Sequence, residues 1–381
     1  MSIIGANLAR VRAMVRNALL LLAASIALPA LAAQPVSKRY KDCSVVCDNA
    51  RDCRVIGLAE NPPMTSEGQA EALELDLWRK NGPGGAERLT VGRSFDFRPH
   101  GFKLDDKPAP ELDRLPWKHR KRVVSWLPDD DSSQEVVSQW ALEDRAAIRT
   151  FLDRVRDAKV LSVMSLPSLE DPLTPLAVSL AGLRASLLAV DEAQGRVGTK
   201  AAWIGRGPKP ESAVPPAELP PKAPPPHKPP PLGKVEERQI LDAAVKRGSA
   251  DDPVSAYALS ADKALVITEW SASGGAGYNP SQGLEIVSRR GARKPEPFLL
   301  PQPEDAPGKP SQDPGELYRA VFDPDTLTLS TRYNGRGLGD CGGMVSWRFD
   351  GTRFVLLRAA SMDVCAGMSP SEWPVEWVTR P

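Results

Sequence analysis

The segment Gly339-Asp340-Cys341-Gly342-Gly343 sets a sulfur nucleophile between an acid and two glycines, the way chymotrypsin-fold proteases hold Ser or Cys beside an oxyanion hole. Acyl transfer there needs a base. The three histidines are His100, His119 and His227; the last lies in a proline-rich stretch and the first two in a separate part of the chain. Cys365 stands nearby, and in an oxidising compartment two such sulfurs bond to one another and become inert. The expected pair is therefore Cys341 with Cys365. They bracket a predicted hairpin over residues 344–358, and closing a loop of that length stabilises by about 3 kcal/mol.

The other three cysteines fall together near the start, as Cys43, Cys47 and Cys53. Residues 48–52 (DNARD) tolerate a tight turn, so a bond from Cys47 to Cys53 across a hairpin is geometrically reasonable, with Cys43 left over. Pairings of Cys43 with Cys47 or with Cys53 stay open. A zinc site would want a C-x2-C spacing and a nearby histidine, and C-x3-C-x5-C offers neither. No metal or cofactor is expected. G-x-S-x-G, P-loop, H-E-x-x-H and dinucleotide fingerprints are absent from the sequence. Paired carboxylates for glycoside hydrolysis cannot be nominated, because their separation in space is what counts.

Two glycine-rich segments, 271–278 (SASGGAGY) and 336–343, carry Tyr278, Asn279, Arg336 and Asp340 at or beside them. Such loops with an aromatic and a charge often make ligand or protein contacts, so these four are the candidate partner-binding residues. Ordinary β-turns explain the same glycines. The first loop weakly resembles the Ser-Gly-x-x-Tyr loop of periplasmic lysozyme inhibitors. The densest basic run, residues 117–122 (WKHRKR), has Trp126 close by and would suit a polyanion, but Asp129, Asp130 and Asp131 cancel its field; a solvated edge strand is the simpler reading.

Whole-chain charge points the same way. With 49 basic and 48 acidic residues, no bulk field favours nucleic acid or an anionic membrane as partner. Arg10, Arg12 and Arg16 precede an uncharged run over 17–28, and Ala30-Leu31-Ala32 follows; this is the order of a secretory signal, with cleavage beside Ala33. The apolar run is too short for a membrane span, which takes about 20 residues. The expectation is a periplasmic or secreted protein, soluble once residues 1–33 are removed.

The elements that must position these residues fall into two groups. Residues 71–78, 87–97 and 122–126 read as strands by alternation or β-branched content. Ile148, Phe151, Leu152 and Val155 fall at i, i+3, i+4 and i+7 and predict a helix over 143–159; a second helix is predicted over 183–193, capped by Gly195. Half of residues 208–231 are proline, which cannot bury a core and reads as an extended linker able to reach roughly 70 Å. Beyond it come a short helix over 236–245 and strands over 264–270, 284–288, 318–322, 326–332, 344–349 and 354–358, separated by turn residues. The fold class expected is α+β in two domains. An N-terminal α+β domain covers 34–206, a Pro-rich linker 207–233, and a mainly antiparallel-β C-terminal domain 234–381.

Four segments in this order, CDNARDC at 47–53, LAVSLAGLRASLLAVDEAQGRVGT at 176–199, GAGYN at 275–279 and RGLGDCG at 336–342, resemble the DUF1176 family of exported proteobacterial proteins. The resemblance spans nearly the whole mature chain. It implies an exported two-part protein and supplies no catalytic residue. Cys43 stands where the family is expected to carry an aromatic, usually Trp, and Ser271-Ala272-Ser273 stands where a cysteine is expected before GAGYN. The function expected is non-enzymatic binding of an envelope protein or cell-wall component through C-terminal loops, a cell-wall-hydrolase inhibitor being one version. The alternative is a cysteine hydrolase using Cys341.

Overall fold

In the computed structural model, residues 33–58, 73–92, 99–125, 134–164, 175–248, 251–270, 277–303 and 316–381 are described. Residues 1–32, which hold nearly all of the predicted secretory signal, together with Trp126, the acidic run 129–131 and the glycine-rich stretch 271–276, lie outside them. Two antiparallel sheets make up the first half. The larger contains β1 (Val36–Tyr40), β2 (Cys43–Cys47), β3 (Cys53–Gly57), β4 (Leu75–Arg79), β5 (Glu87–Val91), β8 (Lys118–Ser125) and β9 (Gln134–Leu142), in the order β1-β2-β3-β4-β5-β9-β8. The smaller contains β6 (His100–Leu104), β7 (Lys107–Pro108), β10 (Val160–Met164) and β11 (Pro175–Ser179), in the order β11-β10-β6-β7. One-turn helix α1 (Pro110–Asp113) and helices α2 (Arg145–Val155) and α3 (Leu183–Ala193) share their core, with Ile148, Phe151 and Leu152 facing inward as the spacing predicts.

The second half repeats the antiparallel theme. Helix α4 (Lys234–Val245) covers one face of a sheet formed by β12 (Val254–Ala258), β13 (Lys263–Glu269), β14 (Ser281–Ser288), β15 (Pro295–Glu296) and β16 (Glu316–Tyr318). The last sheet runs β17 (Val321–Asp323), β18 (Thr328–Asn334), β19 (Gly342–Phe349), β20 (Phe354–Met362), β21 (Val375–Val378) in sequence order. Strand β13 shows why these layers stack: Leu265 and Ile267 enter the core shared with Trp347, Phe349 and Leu356, while Ala264 and Val266 meet Ile240 and Ala244 of α4.

The chain is mainly β, which corrects the α+β expectation. Helices α2 and α3 are where periodicity predicts them. Of the strands missed in the first half, β1, β2, β3, β6, β7, β10 and β11 are each five residues or fewer, while β9, at nine residues, was missed as well. Several are buried on both faces, so they carry no alternation to read. Strand β8 is an edge strand, and its basic run is engaged: Lys118 and Arg120 pair with Glu143, and Arg122 with Glu372 at 3.5 Å.

The two halves meet through a third cluster, in which Ile56 and Leu58 pack with Met362, Val364, Met368 and Trp373. Asn49, fully buried, donates from Nδ2 to the Val378 carbonyl at 3.0 Å and accepts the Val378 amide at 2.8 Å. Ser369 Oγ donates to the Ser125 carbonyl at 2.6 Å, and Arg54 donates to the Glu372 carbonyl. Residues Ala33–Pro381 form one compact unit. The proline-rich stretch is tied along its length: Val214 is buried, the Ala223 amide donates to Arg380, Arg348 donates to Pro224, and Arg289 donates to Pro230 and Pro231.

Buried charge in the first half is matched with care. Asp191 takes Arg79 Nη2 at 2.8 Å and the amides of Trp203, Ile204 and Gly205, while Arg79 also donates to Gln194 and lies 3.9 Å over the Trp203 ring. Asp191→Ala leaves a buried guanidinium and three amides without their acceptor. Chemical denaturation is expected to show a loss of about 3–5 kcal/mol, against under about 1 kcal/mol for Arg154→Ala in the exposed pair with Glu111.

Asp48, at the turn between β2 and β3, accepts the Ala50 and Asp52 amides, yet burial raises its pKa to about 6. A carboxyl raised in the fold contributes stability below its unfolded value near 3.8, and that contribution is lost as pH climbs through about 6. Asp48→Asn keeps the acceptor and removes the charge. It is expected to be more stable than the parent by roughly 2–3 kcal/mol above pH 6, with the gap closing below about pH 4; a constant gap across urea melts at both pH values would contradict this.

Candidate functional site

The sulfurs settle first. Cys47 and Cys53 are directly opposed across β2 and β3, with Cα atoms 4.0 Å apart, and are bonded. Cys341 is bonded to Cys365. Cys341 therefore has no thiolate, which removes the cysteine-hydrolase alternative, and the histidines have other company. His119 stacks on Trp140 at 5.0 Å, His227 lies against Phe349 and the Leu259 carbonyl, and His100 opens β6. Cys43 is the free, buried thiol, pushed up to about 12 by burial and by Asp42, so it is protonated at neutral pH. Asp340, Cys341 and Cys365 bring three potential ligand atoms within 4.8 Å, but both sulfurs are spent on their bond and the carboxylate is engaged elsewhere.

The four nominated residues do come together. Asn279 joins the segment after 277 to the end of β18 by a reciprocal pair, donating to the Asn334 carbonyl at 2.8 Å and accepting the Asn334 amide at 2.9 Å. Arg336 grips Asp340 through Nε and Nη2 at 2.7 and 2.6 Å, and the Gly367 amide donates to the same carboxylate. Burial raises the Asp340 pKa, and Arg336 and Gly367 more than offset it, leaving it below the ordinary range. Tyr278 is half-buried beside Gly337. Gly342 admits no side chain, since a Cβ there would sit 1.9 Å from the Tyr333 carbonyl. Asn279 is 5% exposed and Asp340 1%, so these two offer little surface to a partner.

None of the four lines the cleft of about 650 Å³ that opens where the chain passes from β16 to β17, although Gly277 and Pro280, on either side of Tyr278 and Asn279, do, together with residues of both C-terminal sheets. Arg319, Arg332 and Arg358 line it with Glu269, Gln282, Ser330, Ser346 and Met344. Cross-strand register aligns part of this lining: Ser330 faces Ser346, which faces Arg358, and Arg332 faces Met344 in the next row. Arg319 donates to the Tyr278 carbonyl at 3.1 Å, and Arg332 Nε to Asn334 Oδ1 at 2.8 Å. Burial and then Arg319 push Arg332 down to about 10. Arg358 keeps an exposed surface, and desolvation lowers its pKa too.

Sequence reasoning missed all three arginines. The i, i+2 spacing of Ser330 and Arg332, and of Met344 and Ser346, shows which residues share a strand face, but not that three strands bring those faces to one opening.

A family profile described as a protein of unknown function, DUF1176, matches residues 37–380. The chain belongs to the DUF1176 family. It is also similar to the uncharacterized protein YpfG of Escherichia coli strain K12, 31% identical over 361 residues, covering 91% of this chain and 94% of that protein. Among solved structures, invasion associated protein B from Bartonella henselae aligns at 12% identity over 42% of this chain and 99% of that one, with a TM-score of 0.25 that carries no argument about fold or function.

The residues of the four DUF1176 motifs are now placed. Asn49 and Asn279 bridge distant backbone, Asp191 and Gln194 hold Arg79, and Arg336 and Asp340 brace the disulfide loop. Alkylation of this DUF1176 protein after non-reducing denaturation is expected to label Cys43 and spare Cys341. Replacing Cys341 and Cys365 together by Ala is expected to cost about 3 kcal/mol for a loop of 24 residues; a labelled Cys341 would overturn the assignment.

Proposed function

We propose that this chain is an exported, non-enzymatic binding protein of the cell envelope that takes a small ligand into the cleft between its two C-terminal sheets. The observation that carries this reading is the cleft itself. Its volume falls in the range of small-molecule sites, and its lining combines apolar Met344, Val321 and Val345 with polar and charged groups. The basic, apolar, small order of the first residues supports export, as do two disulfides, which form in oxidising compartments. Among the described residues the cleft lining includes no histidine or cysteine, and the sulfur of Cys341 is bonded, which favours recognition over nucleophilic catalysis.

Burial leaves Asn279 and Asp340 little surface for a partner, so the binding role is assigned to the cleft and not to the loops. The loop's likeness to lysozyme inhibitors adds no observation to this reading.

Native mass spectrometry and thermal melting of the protein isolated from its own compartment test the proposal, with Ser346→Trp as the variant that fills the cleft. Wild type is expected to carry a bound small molecule, or to gain melting temperature from a fraction of envelope extract. Ser346→Trp is expected to lose that gain while its ligand-free midpoint stays within about 3 °C of wild type. A wild type that responds to no fraction, or a tryptophan variant that responds equally, would defeat the proposal.

A further inference from the structure

Several arginines of low exposure are matched to carboxylates. Arg54 is paired with Asp76, Arg79 with Asp191, Arg289 with Glu236 and Arg336 with Asp340, at N···O distances of 2.6 to 2.8 Å. Arg319 and Arg358 in the cleft are not matched in this way. Arg319, Arg332 and Arg358 line one opening alongside a single carboxylate, Glu269, and among the described residues no carboxylate pairs with Arg319 or Arg358. They come from three places in the chain, the bend after β16 and strands β18 and β20, so no basic run accounts for the accumulation. The chain as a whole is nearly neutral, with 49 basic against 48 acidic residues.

We propose that the cleft binds an oxyanion, a carboxylate or phosphoryl group carried on a small and partly apolar molecule. This rests on the reading of the cleft as the binding site. Guanidinium groups match such oxygens in planar, two-point geometry. Ser330 and Ser346 stand in the cross-strand row with Arg358, and their hydroxyls form no hydrogen bond among the described residues, which leaves two further donors for an anion. Met344, Val321 and Val345 supply the apolar wall for the rest of the ligand. Crowding of like charge gives the site a reason to bind: Arg319 disfavours the charge on Arg332, and an anion between the strands relieves that repulsion and stabilises the fold by linkage.

The test is calorimetric titration and thermal melting of the full chain at constant ionic strength with four probes: inorganic phosphate, hexyl phosphate, hexanoate and neutral hexanol. Wild type is expected to bind at least one of the anionic probes saturably and to melt higher in its presence than in chloride. Arg358→Ala is expected to weaken that binding about tenfold or more, with Arg358→Lys in between and the ligand-free midpoint unchanged, since Arg358 is exposed and pairs with no described group. Preference between hexyl phosphate and hexanoate distinguishes the two oxyanions. If no anionic probe saturates, or if Arg358→Ala binds as wild type does, the oxyanion assignment is overturned. Hexanol binding that Ser346→Trp abolishes and Arg358→Ala leaves intact would overturn it while the cleft stands as a binding site.

Discussion

Two buried asparagines impose the constraint on which the rest of the structure depends. Each side-chain amide presents the donor and acceptor of a peptide group, and each is used as one: Asn49 pairs both ways with the backbone of Val378, and Asn279 with that of Asn334. A buried amide that lost one partner would forfeit its hydration without return, so either pairing tolerates little displacement. The first fastens the β2–β3 hairpin to the final strand, and the second fastens the segment leading into β14 to the end of β18. The seam between the halves and the wall of the cleft are thus held by one chemical device used twice.

Buried charge extends the same logic. Asp191 gathers Arg79 and three loop amides, which explains why the long motif before the proline stretch holds an Asp and a Gln where a simple amphipathic helix would not need them. Arg336 and Asp340 do similar work around the Cys341–Cys365 bond, where the glycines permit a backbone path that no side chain could follow. The motifs that mark the family therefore secure the fold. The arginines of the cleft lie outside all four motifs, and they are set apart by what surrounds them.

The proline-rich stretch shows how composition and context divide the labour. Half of its residues are prolines without amide hydrogens, so it cannot build strands of its own. Its carbonyls are nonetheless good acceptors, and Arg289, Arg348 and Arg380 donate to them. A segment with a long reach when free is held close to the surface by hydrogen bonds that it mostly receives, the Ala223 amide donating to Arg380 in return.

Residue types and spacing sufficed for the two disulfides, the faces of α2 and α3, and most strands of the second half, because each is a local pattern: a hairpin turn between cysteines, a period of 3.6, or apolar runs between turn residues. The short strands of the first half escaped, since a five-residue run such as CSVVC buried on nearly every side carries no period to detect. Tyr278, Asn279, Arg336 and Asp340 were legible as a cluster around glycines, yet their burial and mutual bonding were not, for those depend on which loops the sheets bring together. The cleft was decided by tertiary structure alone. Arg319, Arg332 and Arg358 are separated along the chain by strands whose antiparallel register sets them on one opening, and register between distant strands follows from packing and paired backbone, which no local stretch of sequence contains.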